Sequence, residues 1–401
     1  MSIARKVLCL TIAALLVACV FYFFRQPSPQ AHSGQEPPAI PAANTPPTEI
    51  ELVAIGDLLM HLPVVNSTYD AATGRYEFDN LFDEVRPLLT GADYAVANLE
   101  TRLAGKAKGY QGYPLFNTPD DFAPAIANLG IDLVTTANNH SMDMGFDGLV
   151  ATLDCLDRNG LAHIGTYRTI KEREKPFVAE VKGVRLGFVN FTATTNGLPL
   201  PPERPFCVGL LNDEQVTRDL SELRRKNPDL IIACVHFGTE YQRYADTFQE
   251  KWVHKLFELG VDAVIGCHPH VVQPMIWRNV ELSSTKKRCF AAYSLGNFIS
   301  NQRWRYSDSG IVLHLKIFKY PEGTASIVSA SYTPVWVDTY HIAGRKHYRV
   351  LPVSKAIEDY EHSRDGLLTV EDYNRLLEVR DELSELLDDP VQGIGPHPLD
   401  M

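Results

Sequence analysis

Polar side chains that can bind a metal ion occur in five short clusters, each directly after a predicted strand. The clusters are Gly56-Asp57, Asn98-Leu99-Glu100, Asn138-Asn139-His140, His236-Phe237-Gly238 and His268-Pro269-His270. Because ligands in open α/β sheets bind outside the carboxyl ends of the strands, we expect these clusters to meet in one crevice. Each cluster alone is also typical of a turn, a helix cap or a buried histidine. Their joint placement therefore predicts a metal site.

The candidate ligands are carboxylate, amide and imidazole groups: Asp57, Glu100, Asn139, His236, His268 and His270. This mixture without a thiolate suits Mn, Fe or Zn better than Ca or a closed structural zinc site. One residue of extended chain separates His268 from His270, so both imidazoles could face the same ion while Pro269 stiffens the backbone.

Two ions and a nearby acid would together make a hydrolytic centre. Glu100 is the natural bridging carboxylate if two ions lie about 3.5–4 Å apart, the spacing that dinuclear hydrolases use. Such a pair would activate a water molecule and clamp a phosphoryl or similar oxygen. His140, next to Asn139, could then protonate a leaving group or hold a transition-state oxygen.

Other polar residues near the clusters are candidates for supporting roles. Glu240 could orient a ligand histidine and is equally typical of a surface glutamate. Asn297 is a candidate substrate contact, although Ser294–Phe298 also fits a tight turn that passes close to the site. Arg303 and Arg305 could grip a carboxylate or phosphate, or could be solvated surface arginines.

The elements that must position these residues alternate between short apolar segments and amphipathic ones. We predict strands at Leu52–Ile55, Tyr94–Ala97, Leu133–Ala137, Leu230–Val235, Ala263–Gly266 and Ala291–Ser294, and helices at Phe78–Leu89, Asp120–Leu129, Gly145–Asn159, Glu214–Lys226 and Thr247–Leu259. This alternation predicts an α/β fold with a largely buried sheet.

A second, partly antiparallel sheet is predicted from two further segments. Phe177–Phe191 is typical of a hairpin that turns at Lys182-Gly183, and Gly310–Val337 predicts strands around Pro321-Glu322-Gly323. A two-sheet sandwich flanked by helices follows. Thr369–Asp388 predicts a charged amphipathic helix, and residues 390–401 a loose tail.

The N-terminal segment carries a membrane signal. Val7–Phe24 is an uncharged apolar run of 18 residues, about the minimum for spanning a bilayer. It fits an uncleaved signal anchor, and Leu16-Val17-Ala18-Cys19 alternatively fits a lipobox that would leave a lipidated Cys19. Either interpretation places the rest of the chain outside the cytoplasm, held away from the membrane by a Pro-rich tether at residues 26–49.

Composition limits the classes of protein. Hydrophobic residues make up 45% of the 401 residues, which is enough for a substantial core. The net charge of -11 and the lack of a long basic run argue against nucleic acid as a partner. Five cysteines follow the apolar segment without any C-x-x-C pair, so a disulfide scaffold is not predicted.

Six motifs together resemble the capsule synthesis protein CapA family, which is associated with poly-gamma-glutamate production. They are A-I-G-D at 54–57, A-N-L-E at 97–100, A-N-N-H at 137–140, H-F-G-T-E at 236–240, G-C-H-P-H-V at 266–271 and Y-S-L-G-N-F at 293–298. The resemblance runs from about Glu51 to Phe298 with the motifs in family order. The tether and the region after about Pro352 lie outside it.

That family looks like a branch of the calcineurin-like metallophosphoesterases. The resemblance implies a four-layer α/β/β/α sandwich, the six ligands named above and a catalytic His140. The hydrolase branch usually has a histidine two residues after the first aspartate, where this sequence has Leu59. His61, two residues further on, is therefore a candidate metal ligand or a candidate contact of a metal ligand. Asn98-Leu99-Glu100 replaces the second aspartate motif of that branch.

Three functions therefore compete. The resemblance implies a membrane-anchored component of poly-gamma-glutamate synthesis or export that works with a membrane-bound synthase complex. A secreted metal-dependent phosphoesterase acting on another envelope substrate is the alternative, and a non-catalytic scaffold is a third. The ligand would be an anionic polymer or a phosphoester. We expect a membrane segment at 1–25, a tether at 26–49, the CapA-like domain at 50–352 and a helical extension at 353–401.

Overall fold

The chain alternates strands and helices, as its hydrophobic pattern predicts. The structure, a computed structural model, describes residues 46–282 and 285–398. The strands are β1 Thr48–Leu58, β2 Tyr69–Asp70, β3 Arg75–Tyr76, β4 Tyr94–Leu99, β5 Leu133–Thr135, β6 Ala162–Ile164, β7 Phe177–Val181, β8 Val184–Thr192, β9 Leu230–His236, β10 Ala263–Cys267, β11 Met275–Leu282, β12 Thr285–Ala292, β13 Asn297–Ile299, β14 Ser309–Lys319, β15 Ala325–Ile342, β16 Arg345–Pro352 and β17 Ile394–Pro396.

Short and long helices lie between these strands. They are α1 Leu62–Ser67, α2 Arg86–Thr90, α3 Phe122–Asn128, α4 Gly145–Arg158, α5 Ile170–Arg173, α6 Asp213–Arg224, α7 Thr247–Glu258, α8 Val353–Glu361 and α9 Val370–Leu387. Helices α7 and α9 each begin with a capping box, in which Asp246 and Thr369 accept a hydrogen bond from the third helical residue. The prediction of a mixed α/β fold with multiple sheets is confirmed.

Two sheets organise the described residues. The first has the strand order β16-β15-β14-β1-β4-β5-β6, with β13 beside β1 and β17 beside β15. Its strands β1, β4, β5 and β6 are mutually parallel, so their carboxyl ends share one edge. The second sheet has the order β11-β12-β10-β9-β8-β7, with parallel strands at its centre and antiparallel strands at both edges.

Alternating side chains of β1 pack into two different parts of the core. Leu52 and Ala54 face the second sheet and join a cluster that contains Phe188 and Ile232. Val53, between them, packs with helix residues on the opposite face of the first sheet. This alternation follows from the two-residue period of a strand, and it buries the central strands on both faces.

Helices cover the outer faces of both sheets. The outer face of the first sheet packs against Phe82, Phe122 and Leu153, and that of the second against Leu220 and Phe257. Helix α9 buries another set of apolar side chains, Leu376, Val379 and Leu383, in the cluster that also fills the space between the sheets.

The hairpin prediction is confirmed. β7 and β8 pair antiparallel, and Lys182 and Gly183 form the turn with φ values of 49° and 81°. Positive φ at both turn residues matches the right-handed twist of a two-residue hairpin. All five cysteines after the apolar segment are buried free thiols, as the sequence indicates.

Three element predictions are wrong. The described part of the predicted loose tail, residues 390–398, contains β17, which pairs with β15. Phe78–Leu89 is not one helix but a 3-10 turn at Asp79–Leu81 followed by α2, because Pro87 lacks the N–H of a helix interior and is tolerated in the first turn of α2. The predicted strand Ala291–Ser294 is the end of β12, which stops at Ala292. Its hairpin partner β11 escaped prediction because charged residues interrupt both strands.

The predicted signal anchor, the lipidation candidate Cys19 and most of the tether lie outside the described residues. Within residues 46–282 and 285–398, no helix combines the length and the apolar character needed to cross a membrane.

The backbone of β1 passes unusually close to a turn just before the first candidate ligand. Gly296, with φ 71°, accepts a hydrogen bond from the N–H of Asp57 at 3.0 Å. A Cβ at Gly56 would lie 1.9 Å from the carbonyl oxygen of Gly296. Glycine is therefore required at position 56, and the Ser294–Phe298 segment is the tight turn that one interpretation of the sequence predicted.

We expect Gly56→Ala to lower the free energy of unfolding by about 1–3 kcal/mol or more, since the added methyl group must displace backbone. Denaturant unfolding of the full-length chain measures the change. Gly366→Ala is the matched control, because an added Cβ there meets no atom within 4 Å and Gly366 lacks a positive φ. Equal midpoints for the two variants would contradict this account of the close approach.

Candidate metal centre

Five strand ends from two sheets meet in one buried cluster. Asp57 is the next-to-last residue of β1, Glu100 directly follows β4, and Asn139 lies in the loop after β5. The second sheet contributes His236 at the end of β9, together with His268 and His270 in the loop after β10. All six predicted ligands are buried, with at most 7% exposure. The structure therefore brings together every predicted ligand.

His236 is the centre of a first group of donor atoms. Its Nε2 lies 3.0 Å from Asn139 Oδ1, 3.1 Å from His268 Nδ1 and 3.4 Å from Glu100 Oε1. Ligand atoms bound to one ion at about 2.0–2.2 Å are separated by roughly 3.0–3.5 Å. These atoms thus have the separations of a shared coordination sphere.

Asp57, Glu100 and His270 form a second group next to the first. Asp57 Oδ2 lies 3.0 Å from His270 Nδ1, and His270 Nε2 lies 3.8 Å from Glu100 Oε1. One ligand atom from each of the three residues lies within 4.8 Å of the others, and the same holds for Glu100, His236 and His268. Glu100 is therefore common to both groups.

The carboxylate of Glu100 has an unusual environment. It is fully buried, and neither oxygen has a hydrogen-bond donor among the described residues. Burial and the nearby charge of Asp57 raise the pKa of Glu100 well above its usual range. A buried carboxylate without donors is costly, and a divalent cation between the two groups would offset that cost. The donor set therefore fits a divalent metal ion.

His236 and His268 favour the neutral form that metal binding requires. Burial, followed by the charges of His268 and His270, lowers the pKa of His236 well below its usual range. Burial and the charge of His270 lower the pKa of His268 to about 4. Asp57 differs, because hydrogen bonds from His270 and Asn98 outweigh the effect of burial and keep its pKa below the usual range. Neutral imidazoles and an ionised Asp57 are the forms that bind cations.

The loop after β10 differs from the extended chain that the sequence suggested. His268 and His270 have φ values of 105° and 58°, and residues other than glycine rarely adopt positive φ values. Their rings accordingly belong to different groups, one beside His236 and the other beside Asp57. Backbone strain of this kind is commonly found at functional sites.

Asn98 is a site residue that the sequence did not identify. Its Nδ2 donates to Asp57 Oδ1 at 2.8 Å and lies 3.4 Å from His236 Nδ1. It therefore holds one residue from each sheet at the centre of the cluster. Its position two residues before Glu100, on the same side of β4, was the signal available in the sequence.

Asn190 in β8 ties the two sheets together behind the cluster. Its Oδ1 accepts hydrogen bonds from the N–H groups of Thr136 and Ala137, at 3.1 and 2.8 Å. Its Nδ2 donates to the carbonyl oxygen of Cys234 in β9 at 3.1 Å. The loop that carries Asn139 is thus fixed to the second sheet through one buried amide.

The predicted catalytic residue His140 has a partner that the sequence did not identify. His140 Nδ1 donates to Asp143 Oδ2 at 2.7 Å, and the same oxygen accepts from the Phe116 N–H at 2.7 Å. The edge of Phe116 packs against the His140 ring at a centroid distance of 4.7 Å. The carboxylate fixes the imidazole orientation and leaves Nε2 for a second interaction. The three-residue spacing of His140 and Asp143 was the sequence signal.

His61 and Glu240 lie near the cluster without joining either donor group. Burial and the charge of His270 lower the pKa of His61 to about 4, and its ring packs edge-on to Phe116 at 5.2 Å. Glu240 is exposed and adds to the negative charge that acts on Glu100. Both residues border the site rather than complete it.

The three residues proposed to contact substrate are differently placed. Asn297 is the registry partner of Asp57, and its buried side chain donates to Gln302 and to the carbonyl of Ser307. Arg303 donates instead to the carbonyl of Val337 and lies over the Tyr348 ring. Arg305 forms an ion pair at 3.0 Å with Glu382 in α9. Neither arginine is directed at the donor groups by these contacts.

Exposed aromatic side chains lie close to the cluster. The ring of Tyr241 lies 5.9 Å from that of His270, and its hydroxyl oxygen accepts from Gln302 at 3.1 Å. Trp304, which is 54% exposed, packs edge-on against Tyr241 at 5.3 Å. We call these two side chains the aromatic rim.

Comparison with known proteins identifies relatives of the sequence. The model of the family described as bacterial capsule synthesis protein PGA_cap matches residues 51–302. The chain is 27% identical over 278 residues to the capsule biosynthesis protein CapA of Bacillus anthracis, covering 67% of this chain and 64% of that protein, just under two thirds. It is 26% identical over 269 residues to the PGA biosynthesis protein CapA of Bacillus subtilis, covering 65% and 67%.

A solved structure with a similar arrangement is the NAD nucleotidase of Haemophilus influenzae. The TM-score is 0.44 at 12% identity, covering 88% of this chain and 65% of that one. Because this score is below 0.5, the family assignment rests on the sequence matches alone.

The raised pKa of Glu100 predicts how its stability contribution depends on pH in the absence of metal. The folded state holds this proton more tightly than the unfolded chain, whose glutamate pKa is about 4.3. Glu100 therefore stabilises the metal-free protein below that pKa, and the contribution is lost as the pH rises through the folded-state pKa. We expect Glu100→Gln to be more stable than the wild type at pH 8 in chelator, with the difference shrinking towards pH 4.

Urea unfolding of the full-length chain across this pH range measures the difference, and Glu214→Gln at an exposed position is the control. A difference between Glu100→Gln and the wild type that does not change with pH would exclude a buried, proton-binding Glu100.

Proposed function

The chain belongs to the bacterial capsule synthesis protein family, and from this we propose that it is a membrane-anchored, extracytoplasmic component of poly-gamma-glutamate synthesis or export. The buried cluster is its working site and binds two divalent ions of Mn, Fe or Zn. The proposal includes a membrane-bound synthase complex as partner. The names of the Bacillus relatives support the capsule role, and the apolar segment at Val7–Phe24 supports the location.

One observation carries the metal-dependent part of this proposal. Glu100 is fully buried, lacks hydrogen-bond donors among the described residues and is shared by two groups of ligand atoms. A structural glutamate would be buried with donors facing it. A carboxylate between two half-complete coordination spheres is instead what a bridging ligand requires.

The cluster and His140 have separate tasks in this proposal. Divalent ions bound there would polarise a phosphoryl or carboxyl oxygen and lower the pKa of a bound water. The buried side chains of Asp57, Glu100, Asn139 and the three histidines would hold that charge. His140, held through Nδ1 by Asp143, presents Nε2 as a proton donor or acceptor for the reacting group.

The charges around the site favour an anionic ligand that is recognised through the ions. Arg303 and Arg305 are engaged by Val337 and Glu382, and Glu240 adds negative charge near the cluster. Arg305 is therefore paired within the protein, whereas two nitrogens of Arg303 have no hydrogen-bond partner among the described residues. An anionic polymer would be held at one point by the metal centre while its chain crosses the aromatic rim.

A second candidate function is a metal-dependent phosphoesterase that acts on another envelope substrate. The specific observation in its favour is the His140–Asp143 pair, since a scaffold would not require a buried imidazole with a fixed proton position. The two functions share the site and differ in the substrate.

Metal content is the first test of the proposal. We expect the purified full-length wild type to carry about two equivalents of Mn, Fe or Zn, and His268→Ala to carry fewer, because the variant removes a ligand atom 3.1 Å from His236. Elemental mass spectrometry measures the content. His254→Ala, at a 75% exposed side chain, should match the wild type. Protein that stays metal-free after reconstitution would remove both catalytic functions and leave the scaffold.

Substitution of His140 separates chemistry from metal binding. We expect His140→Ala to retain its metal and to lose about 10²- to 10⁴-fold in kcat, the usual contribution of a general acid or base. Turnover of a phosphodiester and of γ-glutamyl polymer by the full-length chain identifies the substrate. Capsule polymer in cells expressing each variant reports the biological role.

Normal polymer in cells that carry only His140→Ala would contradict a catalytic role in the capsule. If that variant also retains turnover of both substrates, His140 has no part in the chemistry.

A further inference from the structure

A second cluster of imidazole and carboxylate groups lies far from the metal centre. Glu51 is in β1, His314 is in the neighbouring strand β14, and His397 directly follows β17. Glu51 precedes Asp57 by six residues along β1, a separation of about 20 Å at roughly 3.3 Å per residue. None of the three residues belongs to the capsule-family motifs, and the proposed function does not use them.

The donor atoms of this cluster are close together. Glu51 Oε1 lies 2.9 Å from His314 Nδ1 and 3.5 Å from His397 Nε2. The two imidazole rings stack at a centroid distance of 4.1 Å with an angle of 20° between their planes. One ligand atom from each residue lies within 4.8 Å of the others. The two distances from Glu51 match those of ligands around one ion, and the stacked imidazoles would turn relative to each other for both to bind that ion.

Neighbouring groups orient the cluster. His314 Nε2 lies 3.1 Å from the Thr333 hydroxyl on β15, so its Nδ1 faces Glu51. Ligand histidines typically bond through their other ring nitrogen in this way. The hydrogen bond with His314 outweighs the effect of burial and keeps the pKa of Glu51 below its usual range. His314 is 5% exposed, so an ion here would be partly shielded from solvent.

The C-terminal segment 389–398 gives this cluster a structural context. Strand β17 of this segment pairs with β15 of the first sheet. Gln392 accepts a hydrogen bond from the Trp277 N–H in the second sheet at 2.6 Å, and its carbonyl accepts one from Arg288 at 3.2 Å. The segment therefore connects the two sheets, and His397 lies near its end.

We propose that Glu51, His314 and His397 form a second metal site, which binds one Zn²⁺ or a similar borderline transition ion and fastens the C-terminal segment to the first sheet. Two imidazoles and one carboxylate suit zinc, with water completing the coordination. The site is structural, because this ion would connect segment 389–398 to β1 and β14.

Zinc binding to matched variants of the full-length chain tests the proposal. After treatment with chelator, we expect His397→Ala to bind one equivalent less zinc than the wild type in equilibrium dialysis. Glu51→Gln, which keeps the side-chain shape and removes the charge, should show the same loss. His341→Ala, at an exposed histidine of β15, is the control and should bind as the wild type does. Zinc binding by each variant is measured again in the His268→Ala background. A loss of zinc that persists there is assigned to Glu51, His314 and His397, because the other metal centre is already weakened.

Amide hydrogen exchange supplies a readout that does not depend on activity. Zinc should slow exchange in residues 389–398 at least tenfold in the wild type and leave it unchanged in His397→Ala. Equal zinc stoichiometry in the wild type, His397→Ala and Glu51→Gln would overturn the proposal and leave a hydrogen-bonded Glu51–His314 pair without metal. Zinc-independent exchange in the wild type would overturn the fastening role.

Discussion

A buried carboxylate that lacks hydrogen-bond donors in the described part of the chain is the constraint on which the rest of the site depends. Glu100 lies close to Asp57, and without a cation the repulsion between these two acids opposes their simultaneous ionisation. The surrounding residues are arranged to satisfy such a cation: neutral imidazoles approach from the second sheet, and the Asn139 amide approaches from the first. The polar interior of the site is therefore stable only when charge is balanced within it.

Balancing that charge requires precise positions of the backbone. Gly56 lets β1 approach the turn at Gly296, and the N–H of Asp57 donates to the Gly296 carbonyl, which fixes the position of Asp57 in the site. Asn190 fixes the loop of Asn139 to the second sheet through its amide. The positive φ values of His268 and His270 turn their rings towards different donor groups. Each of these three features gives the backbone near the site a position that regular strand geometry alone would not produce.

The sequence predicted which residues meet in the cluster better than it predicted their arrangement. Chemical type and position after a strand are local properties, and they were sufficient for Asp57, Glu100 and the histidines. Asn98 was missed because its role depends on which side chain lies opposite, which is decided only when the strands pair. Asp143 was missed although its three-residue spacing from His140 is a local signal. Arg305 was predicted to contact substrate, but it pairs with Glu382 instead. Because these two residues are 77 positions apart, no local sequence pattern predicts their ion pair.

The fold shows the same division between local and long-range information. Hydrophobic period and turn residues located the β7–β8 hairpin and helix α4. Pro87 divided a segment whose apolar spacing favoured one helix, and the charged hairpin of β11 and β12 lacks the alternation that strands on a surface usually show. At Pro87 a local backbone property overrode the apolar spacing, whereas in the β11–β12 hairpin strand pairing overrode the local pattern.

The chain separation of the ligands has a consequence for biogenesis. Asp57 and His270 are 213 residues apart, and between them the chain must complete most of both sheets. During synthesis, the proposed coordination shell therefore cannot form until the second sheet has docked on the first. In the proposed site, metal loading would follow this docking, so bound ions would distinguish the assembled protein from folding intermediates.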